Sequence, residues 1–139
     1  MYRIVTGNHK TLTQISTEVE HGEDCSNLID KMKELMIDNS GIGLAANQVD
    51  VAKRVIVMVS GNTVIELINP EITRQYFGKS KGLEGCLSFP NKLAKMYRWN
   101  RVNVKGFDRD WNLIELKLKG LAARCVQHEI DHLNGINIA

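Results

Sequence analysis

The stretch Gln127-His128-Glu129-Ile130-Asp131-His132, near the end of the chain, predicts a helix around which the rest of the fold is organised. On such a helix His128 and His132 lie about one turn apart on the same face, so both imidazoles can bind one metal ion. Glu129 can then act as a general base toward a water molecule at that metal. The alternative is an exposed amphipathic helix with a chance pair of histidines.

Two histidines leave a catalytic metal site one protein ligand short, because such sites usually have three protein ligands and a water molecule. Proteases with the pattern His-Glu-x-x-His-x-x-Gly-x-x-His take the third ligand from downstream. This chain has Ile138 at that position, and no Cys, His, Asp or Glu follows His132. A third ligand must therefore come from upstream.

Cys86, in the segment Glu84-Gly85-Cys86-Leu87-Ser88, is the best candidate for the third ligand. It follows a glycine and precedes a predicted strand, which places it on a turn. The rival Cys125 lies seven residues before His132, about 10 Å along a helix axis, which is too far for bonds of about 2.0–2.3 Å to one ion. We therefore predict a packed thiol at Cys125. A buried structural cysteine is the alternative for Cys86.

Length and composition indicate one domain over residues 1–139 that is large enough to bury a core. The net charge of +2 is too small to argue for nucleic acid or a membrane as a direct partner. Residues 1–10 lack the apolar core of a signal peptide, and no apolar run is long enough to span a bilayer. Three cysteines suggest no disulfide framework, so we expect reduced thiols and a cytoplasmic location.

Apolar periodicity predicts a helix at 24–38, and β-branched runs predict strands through the middle of the chain. The predicted strands and extended segments are 54–59, 63–69, 71–77, 92–99, 102–107 and 113–118. A mobile loop is expected at 78–82 and a hairpin loop at 108–112. The predicted class is α+β, with curved, mostly antiparallel sheets packed around the C-terminal His-Glu-x-x-His helix, together with an N-terminal helix.

The segment 41–48, Gly-Ile-Gly-Leu-Ala-Ala-Asn-Gln, reads as a loop in which the two glycines let the backbone approach a ligand closely. Gln48 closes this loop, and its side-chain amide could donate a hydrogen bond to a developing oxyanion. A purely structural turn is the alternative.

Three segments together resemble the motifs of the peptide deformylase family: Gly-Ile-Gly-Leu-Ala-Ala-Asn-Gln at 41–48, Glu-Gly-Cys-Leu-Ser at 84–88 and Gln-His-Glu-Ile-Asp-His at 127–132. They occur in that family's order, and the resemblance covers nearly the whole chain. Bacterial members continue into a C-terminal helix, whereas only seven residues follow His132 here. The chain thus resembles the short forms encoded by some bacteriophages, and ribosome docking through such a helix is not expected.

The resemblance implies a role for each matching residue. Cys86, His128 and His132 would bind the metal, Glu129 would transfer the proton, and the Gln48 amide with the Leu87 backbone N–H would hold the oxyanion. The residues implied in substrate binding are Ile42, Gly43, Glu84, Gly85, Leu121, Arg124 and Cys125.

The implied reaction is metal-dependent hydrolysis of the N-formyl group from N-formylmethionyl nascent peptides, by a monomer. Fe²⁺ is the native ion that the resemblance suggests, although a thiolate with two imidazoles also suits Zn²⁺, Ni²⁺ or Co²⁺. A metalloprotease would need a third ligand other than Cys86. A structural zinc module would need a fourth ligand, from Cys25 or His9.

Two positions depart from the family pattern. Leu93 stands where many members carry an arginine that reaches the far end of the peptide, while the nearby Arg98 is expected to be structural. Arg124 falls where the methionine pocket is expected, which predicts a partly charged rim.

Overall fold

Two α-helices flank the sheet in the computed structural model, which describes residues 2–138. Helix α1 spans Ser26–Asp38 and α2 spans Gly120–Leu133. The prediction of the first helix is confirmed, and Asp24 accepts a hydrogen bond from the Ser26 backbone N–H at 2.9 Å where that helix begins. None of the helices in the described residues has the length and apolarity needed to cross a membrane.

Five strands form one open antiparallel sheet in the order β1-β2-β3-β4-β5, so the predicted α+β class is confirmed. The strands are β1 Gly43–Ala45, β2 Val55–Ser60, β3 Thr63–Cys86, β4 Phe89–Phe107 and β5 Leu113–Lys119. One-turn 3₁₀ helices lie at Lys10–Thr13 and Ala46–Val49. β5 leads directly into α2, which brings the His-Glu-x-x-His helix back across the sheet.

The middle of the sheet is more continuous than the sequence predicts. The mobile loop expected at 78–82 is wrong, because residues 79–82 pair with 96–99 within one long hairpin of β3 and β4. Asn69 and Phe77 both have positive φ, and the pairing register shifts beside each of them. Strand β3 therefore continues through positions at which the sequence suggests an interruption. Residues 43–45, expected in a loop, form the strand β1 and pair with β2.

The hydrophobic core lies on both faces of this sheet, and β2 separates its two parts. Because successive side chains of a strand point to opposite faces, Val55 and Val57 join the cluster around α1, whereas Ile56 and Met58 join the cluster around α2. All four are fully buried. Strand β2 therefore packs against α1 on one face of the sheet and against α2 on the other.

An ion cluster around Glu66 of β3 joins α1 to the loop between β4 and β5. The Glu66 carboxylate accepts hydrogen bonds from Lys33 at 2.8 Å and from the Arg109 side chain at 2.9 Å. Burial alone would raise the pKa of Glu66, but these hydrogen bonds outweigh it and lower the pKa to about 2. The charged carboxylate therefore stabilises the fold.

We predict that Glu66→Gln lowers the free energy of unfolding by about 1–3 kcal/mol at pH 7, as expected for hydrogen bonds to a charged group. Because the folded-state pKa is depressed, this contribution is present above the ordinary value of 4.5 and is lost as the pH falls toward 2. Urea unfolding at pH 7 and pH 3 should show the difference from wild type shrinking at the lower pH. The control is Glu71→Gln, an exposed residue on the same strand, and an equal Glu66→Gln effect at both pH values would contradict the assignment.

Candidate metal centre and active site

Helix α2 carries His128, Glu129 and His132, and all three side chains are buried on its sheet-facing side. The Nε2 atoms of the two histidines lie 3.1 Å apart, as their four-residue spacing predicts. The carbonyl of His132 accepts a hydrogen bond from the Asn47 side chain, which also donates to the carbonyl of Thr11 at 3.2 Å. Asn47 thus fixes the end of α2, a role that the sequence analysis missed although this residue lies beside Gln48 in its motif.

Cys86, the last residue of β3, completes the cluster. Its Sγ lies 3.2 Å from Nε2 of His132, and the ligand atoms of Cys86, His128 and His132 all lie within 4.8 Å of one another. Cys125 stays outside this group, with its Sγ 3.5 Å from the carbonyl of Ile42. Burial raises the pKa of the Cys125 thiol, so the structure places a packed thiol at this position.

Glu84 orients His128. Its Oε1 accepts the Nδ1–H of His128 at 2.9 Å and a hydrogen bond from Arg98 at 2.8 Å, while Oε2 accepts from Arg98 at 3.0 Å and from Arg124 at 2.7 Å. Burial alone would raise the pKa of Glu84, but these donors hold it well below its usual range. A charged carboxylate at Nδ1 keeps a proton on that atom, so a neutral His128 would direct its Nε2 lone pair at Cys86 and His132.

From the sequence, Glu84 is expected among the substrate-binding residues and Arg98 among the structural ones. Glu84 does line the cavity described below, but its oxygens are occupied by the histidine and the two arginines. Arg98 also binds Asp131 on α2. Sequence spacing could not reveal these contacts, because they depend on the register of the β3–β4 hairpin.

The donor set fits a divalent cation. One thiol and two imidazoles are a borderline-soft combination found with Zn, Fe, Co and Ni. Burial lowers the pKa of His132 to about 3. Burial alone would also lower the pKa of His128, but hydrogen bonds with Cys86 and Glu84 outweigh it and raise the pKa to about 10. The neutral imidazole that the lowered pKa of His132 favours is the form that binds a metal ion.

Glu129 and Gln48 flank this cluster. Oε1 of Glu129 is buried and has no hydrogen-bond partner within residues 2–138, and burial raises the pKa of Glu129 to about 7. Oε1 of Gln48 accepts the Ala45 backbone N–H at 2.9 Å. This leaves Nε2 of Gln48 directed at Sγ of Cys86, 3.4 Å away, and at the Ser88 hydroxyl, 3.1 Å away.

A cavity of about 440 Å³ opens beside these groups. Leu87, Gln48, Cys86, His128 and Glu129 line it, and so do all seven residues expected to bind substrate, which are Ile42, Gly43, Glu84, Gly85, Leu121, Arg124 and Cys125. His132 is not part of the lining and lies behind the other two ligand candidates. Leu83 and Leu93 form an exposed apolar part of the mouth, of which the sequence analysis named Leu93 alone.

Gly43 keeps the floor of the cavity close to α2. A Cβ at this position would lie 2.7 Å from the Sγ of Cys125 and would also collide with the Glu129 carboxylate. Glycine is therefore required for space, which explains why β1 can pass directly beside the helix.

Neither candidate for a fourth protein ligand approaches the cluster. Cys25 is buried beside α1 in the hydrophobic core, and His9 hydrogen-bonds to Thr11 at 2.9 Å. Among the residues that the structure describes, the group of Cys86 and the two histidines is the single set of three or more side chains arranged to hold a metal. This disfavours a closed structural zinc site.

Comparison with known proteins gives one consistent result. The model of the family described as polypeptide deformylase matches residues 1–139. The peptide deformylase of Pelotomaculum thermopropionicum is 42% identical over 137 residues, which cover 98% of this chain and 88% of that protein. The resemblance seen in the sequence motifs is thereby confirmed.

Solved structures agree. The crystal structure of PDF from the Vibrio parahaemolyticus bacteriophage VP16T in complex with actinonin superposes with a TM-score of 0.95 at 46% identity, covering 98% of this chain and 99% of that chain. The Met-Ala-Ser-bound class I type b peptide deformylase from Acinetobacter baumannii has a TM-score of 0.93 at 34% identity, covering 99% of this chain and 96% of that chain. From its sequence, its fold and these relatives, this chain belongs to the peptide deformylase family of enzymes.

Proposed function

We propose that this enzyme removes the formyl group of N-formylmethionyl peptides by metal-dependent hydrolysis, releasing formate and a free amine. The observation that carries the proposal is the convergence of Cys86, His128 and His132 beside Glu129 at one cavity. Family membership supports a formylated peptide as the substrate, and the relative from Acinetobacter baumannii was crystallised with a peptide that begins with methionine.

Cys86, His128 and His132 would hold one divalent metal. We propose Fe²⁺ as the native ion, with Zn²⁺, Ni²⁺ or Co²⁺ as ions that the isolated protein could carry, because the same donor set suits all four. When bound, the metal would supply a Lewis acid that polarises the formyl carbonyl and makes a water molecule more acidic.

Glu129 would take a proton from the attacking water and later give it to the departing amine. Its pKa of about 7 suits both steps, because a group with a pKa near the working pH can accept and donate protons efficiently. Its unpartnered Oε1 leaves one oxygen available for the water.

Two hydrogen-bond donors would stabilise the oxyanion that forms from the formyl oxygen. One is Nε2 of Gln48, which is held in place because Oε1 of the same amide is bound to the Ala45 N–H. The other is the backbone N–H of Leu87, in the turn that follows Cys86. Both donors belong to structured segments, so little reorganisation is needed during the reaction.

The cavity would bind the peptide beside the reacting group. Ile42, Gly43 and Gly85 would make backbone contacts, while Leu121, Arg124 and Cys125, with Glu84 behind them, would surround the methionine side chain. A formyl carbon carries only a hydrogen beyond its carbonyl and amide, so a narrow site admits it and excludes bulkier acyl groups.

Deformylation is favoured over the two alternatives because Cys86 is the third side chain grouped with the two histidines, and because neither Cys25 nor His9 approaches them. A His-Glu-x-x-His metalloprotease needs a third ligand other than Cys86, and a structural zinc module needs a fourth from Cys25 or His9.

The proposed partners are nascent formylated peptides in the cytoplasm of a bacterial or phage-infected cell. We propose that residues 1–139 act there as one catalytic domain and as a monomer, without a nucleic-acid or membrane partner.

We predict that Cys86→Ala loses the metal, because two imidazoles alone hold a divalent ion poorly. Cys125→Ala is the matched control and should keep stoichiometric metal, since this thiol lies outside the donor cluster. Elemental analysis of the purified proteins measures the metal-to-protein ratio. Equal ratios in wild type and Cys86→Ala would remove Cys86 from the ligand set.

We predict that Glu129→Gln keeps the metal and lowers kcat by about 10²–10⁴-fold, the usual cost of losing a general base. The amide matches the carboxylate in size but cannot accept the proton of the water molecule. Steady-state kinetics on a formylated tripeptide, with metal content measured in parallel, test this. Glu115→Gln, an exposed residue on β5, is the control. A metal-loaded Glu129→Gln protein with kcat within about threefold of wild type would exclude Glu129 from the mechanism.

A further inference from the structure

Arg124 joins the helix of the metal site to both strands of the long hairpin. It lies one helical turn before His128 on α2. Its Nη1 donates to Oε2 of Glu84 at 2.7 Å and to the Met96 carbonyl of β4 at 3.1 Å, while Nη2 donates to the Ser80 carbonyl of β3 at 2.8 Å. Three bonds to the protein hold the guanidinium in one orientation.

Gly82 provides the space that this guanidinium occupies. A Cβ at position 82 would lie 2.9 Å from Cζ of Arg124 and 3.1 Å from its Nη2. The φ of Gly82 is not positive, so the backbone conformation alone would accept any residue. A Cβ at this position would therefore displace the Arg124 guanidinium from the place in which its three hydrogen bonds hold it.

Two arginines, Arg98 and Arg124, share the carboxylates of Glu84 and Asp131. Arg98 binds Glu84 through Nη2 and Nε, but its Nη1 binds Asp131, so its single charge is divided between two carboxylates. Arg124 supplies a second positive charge directly at Oε2 of Glu84, a carboxylate that is almost fully buried.

Glu84 transmits this arrangement to the metal site. Its Oε1 receives the Nδ1–H of His128, and its Oε2 is held by Arg124 and Arg98. Losing the carboxylate that orients a histidine ligand typically weakens metal binding by about 10–100-fold, so loosening that carboxylate should weaken it by less. The guanidinium therefore acts on the metal through Glu84 and His128, without touching it.

Resting on the metal site of the proposed function, we propose that Arg124 is a positioning residue that holds Glu84 against His128, and that Gly82 is the residue that admits it. This role differs from the substrate-binding role expected for Arg124 from the sequence, because its guanidinium donates to Glu84, Ser80 and Met96 of the protein. Any contact with substrate is left to its alkyl chain and the remaining N–H groups.

The first experiment compares Arg124→Met and Arg124→Lys with wild type. Zn²⁺ is the probe, its Kd is measured by competition with a chelator, and the Nδ1–H of His128 is followed by ¹H–¹⁵N NMR. Arg124→Met should bind Zn²⁺ more weakly by about 10-fold, the lower end of the range for losing the orienting carboxylate itself, and its Nδ1–H signal should shift or exchange faster. Arg124→Lys should lie between, because an ammonium keeps the charge but cannot span Glu84 and both carbonyls.

The matched control is Arg101→Met on β4, an exposed arginine whose guanidinium lies 4.9 Å from the ring centre of Phe77. It should leave both readouts unchanged. Urea unfolding of each variant separates a folded protein with weaker metal binding from an unfolded one.

The second experiment is a double-mutant cycle with Gly82→Ala. If position 82 acts through the guanidinium, Gly82→Ala weakens Zn²⁺ binding in the Arg124 protein and has little effect in the Arg124→Met background, where the space is free. Non-additivity of this kind is the signature of two residues in one interaction. This variant also keeps every charge, so it separates the position of the guanidinium from its charge.

Two results would overturn the proposal. One is a folded Arg124→Met protein with wild-type Zn²⁺ affinity and an unchanged His128 signal. The other is a Gly82→Ala effect that adds fully to that of Arg124→Met. Both readouts are independent of turnover, so absence of deformylase activity in wild type would count against the proposed function and leave this inference to be judged on metal binding and the His128 signal.

Discussion

The hydrogen bond from Nδ1 of His128 to Glu84 is the contact on which the rest of the site depends. It crosses from α2 to β3 between residues that are 44 positions apart in the chain. Glu84 remains charged despite its burial because His128, Arg98 and Arg124 all donate to it. The bond keeps a proton on Nδ1, so a neutral His128 would present its Nε2 lone pair to the other two ligand candidates.

The long hairpin of β3 and β4 brings the two halves of the site together. Glu84 and Cys86 are two residues apart on β3, and both reach α2, the first at His128 and the second at His132. On α2 the two histidines are four residues apart and share a face. The strand thus contributes two groups two residues apart, across a register shift in its pairing with β4, and the helix contributes two groups four residues apart.

Much of this arrangement could be predicted from the sequence, because it follows from local repeats and short distances. Helical periodicity predicts the helix near residues 24–38, and the distance along a helix excludes Cys125 as a partner of His132. The long strand β3 was not predicted. Residues with positive φ at Asn69 and Phe77, and bulges beside them, let one strand continue through segments that resemble loops.

The contacts of Glu84 and Arg124 were also beyond the sequence, for a different reason. They depend on which residues of β3 and β4 face each other, and a shift of one residue moves every side chain to the other face. The net charge of the sequence does not reveal these contacts either, because positive and negative side chains that pair with each other cancel in the sum. Sequence motifs could therefore indicate the reacting groups, while the residues that orient them emerged only from the register of the hairpin.

Metal-dependent deformylation is tested most directly by formate release from formyl-Met-Ala-Ser. The wild-type protein is measured with metal bound, after removal of the metal by a chelator, and after its return. Turnover should disappear with the metal and return with it, and the peptide bonds of unformylated Met-Ala-Ser should not be cleaved. Formate release that persists at the same rate in the chelated protein, or cleavage of the unformylated peptide by the metal-loaded protein, would contradict the proposed function.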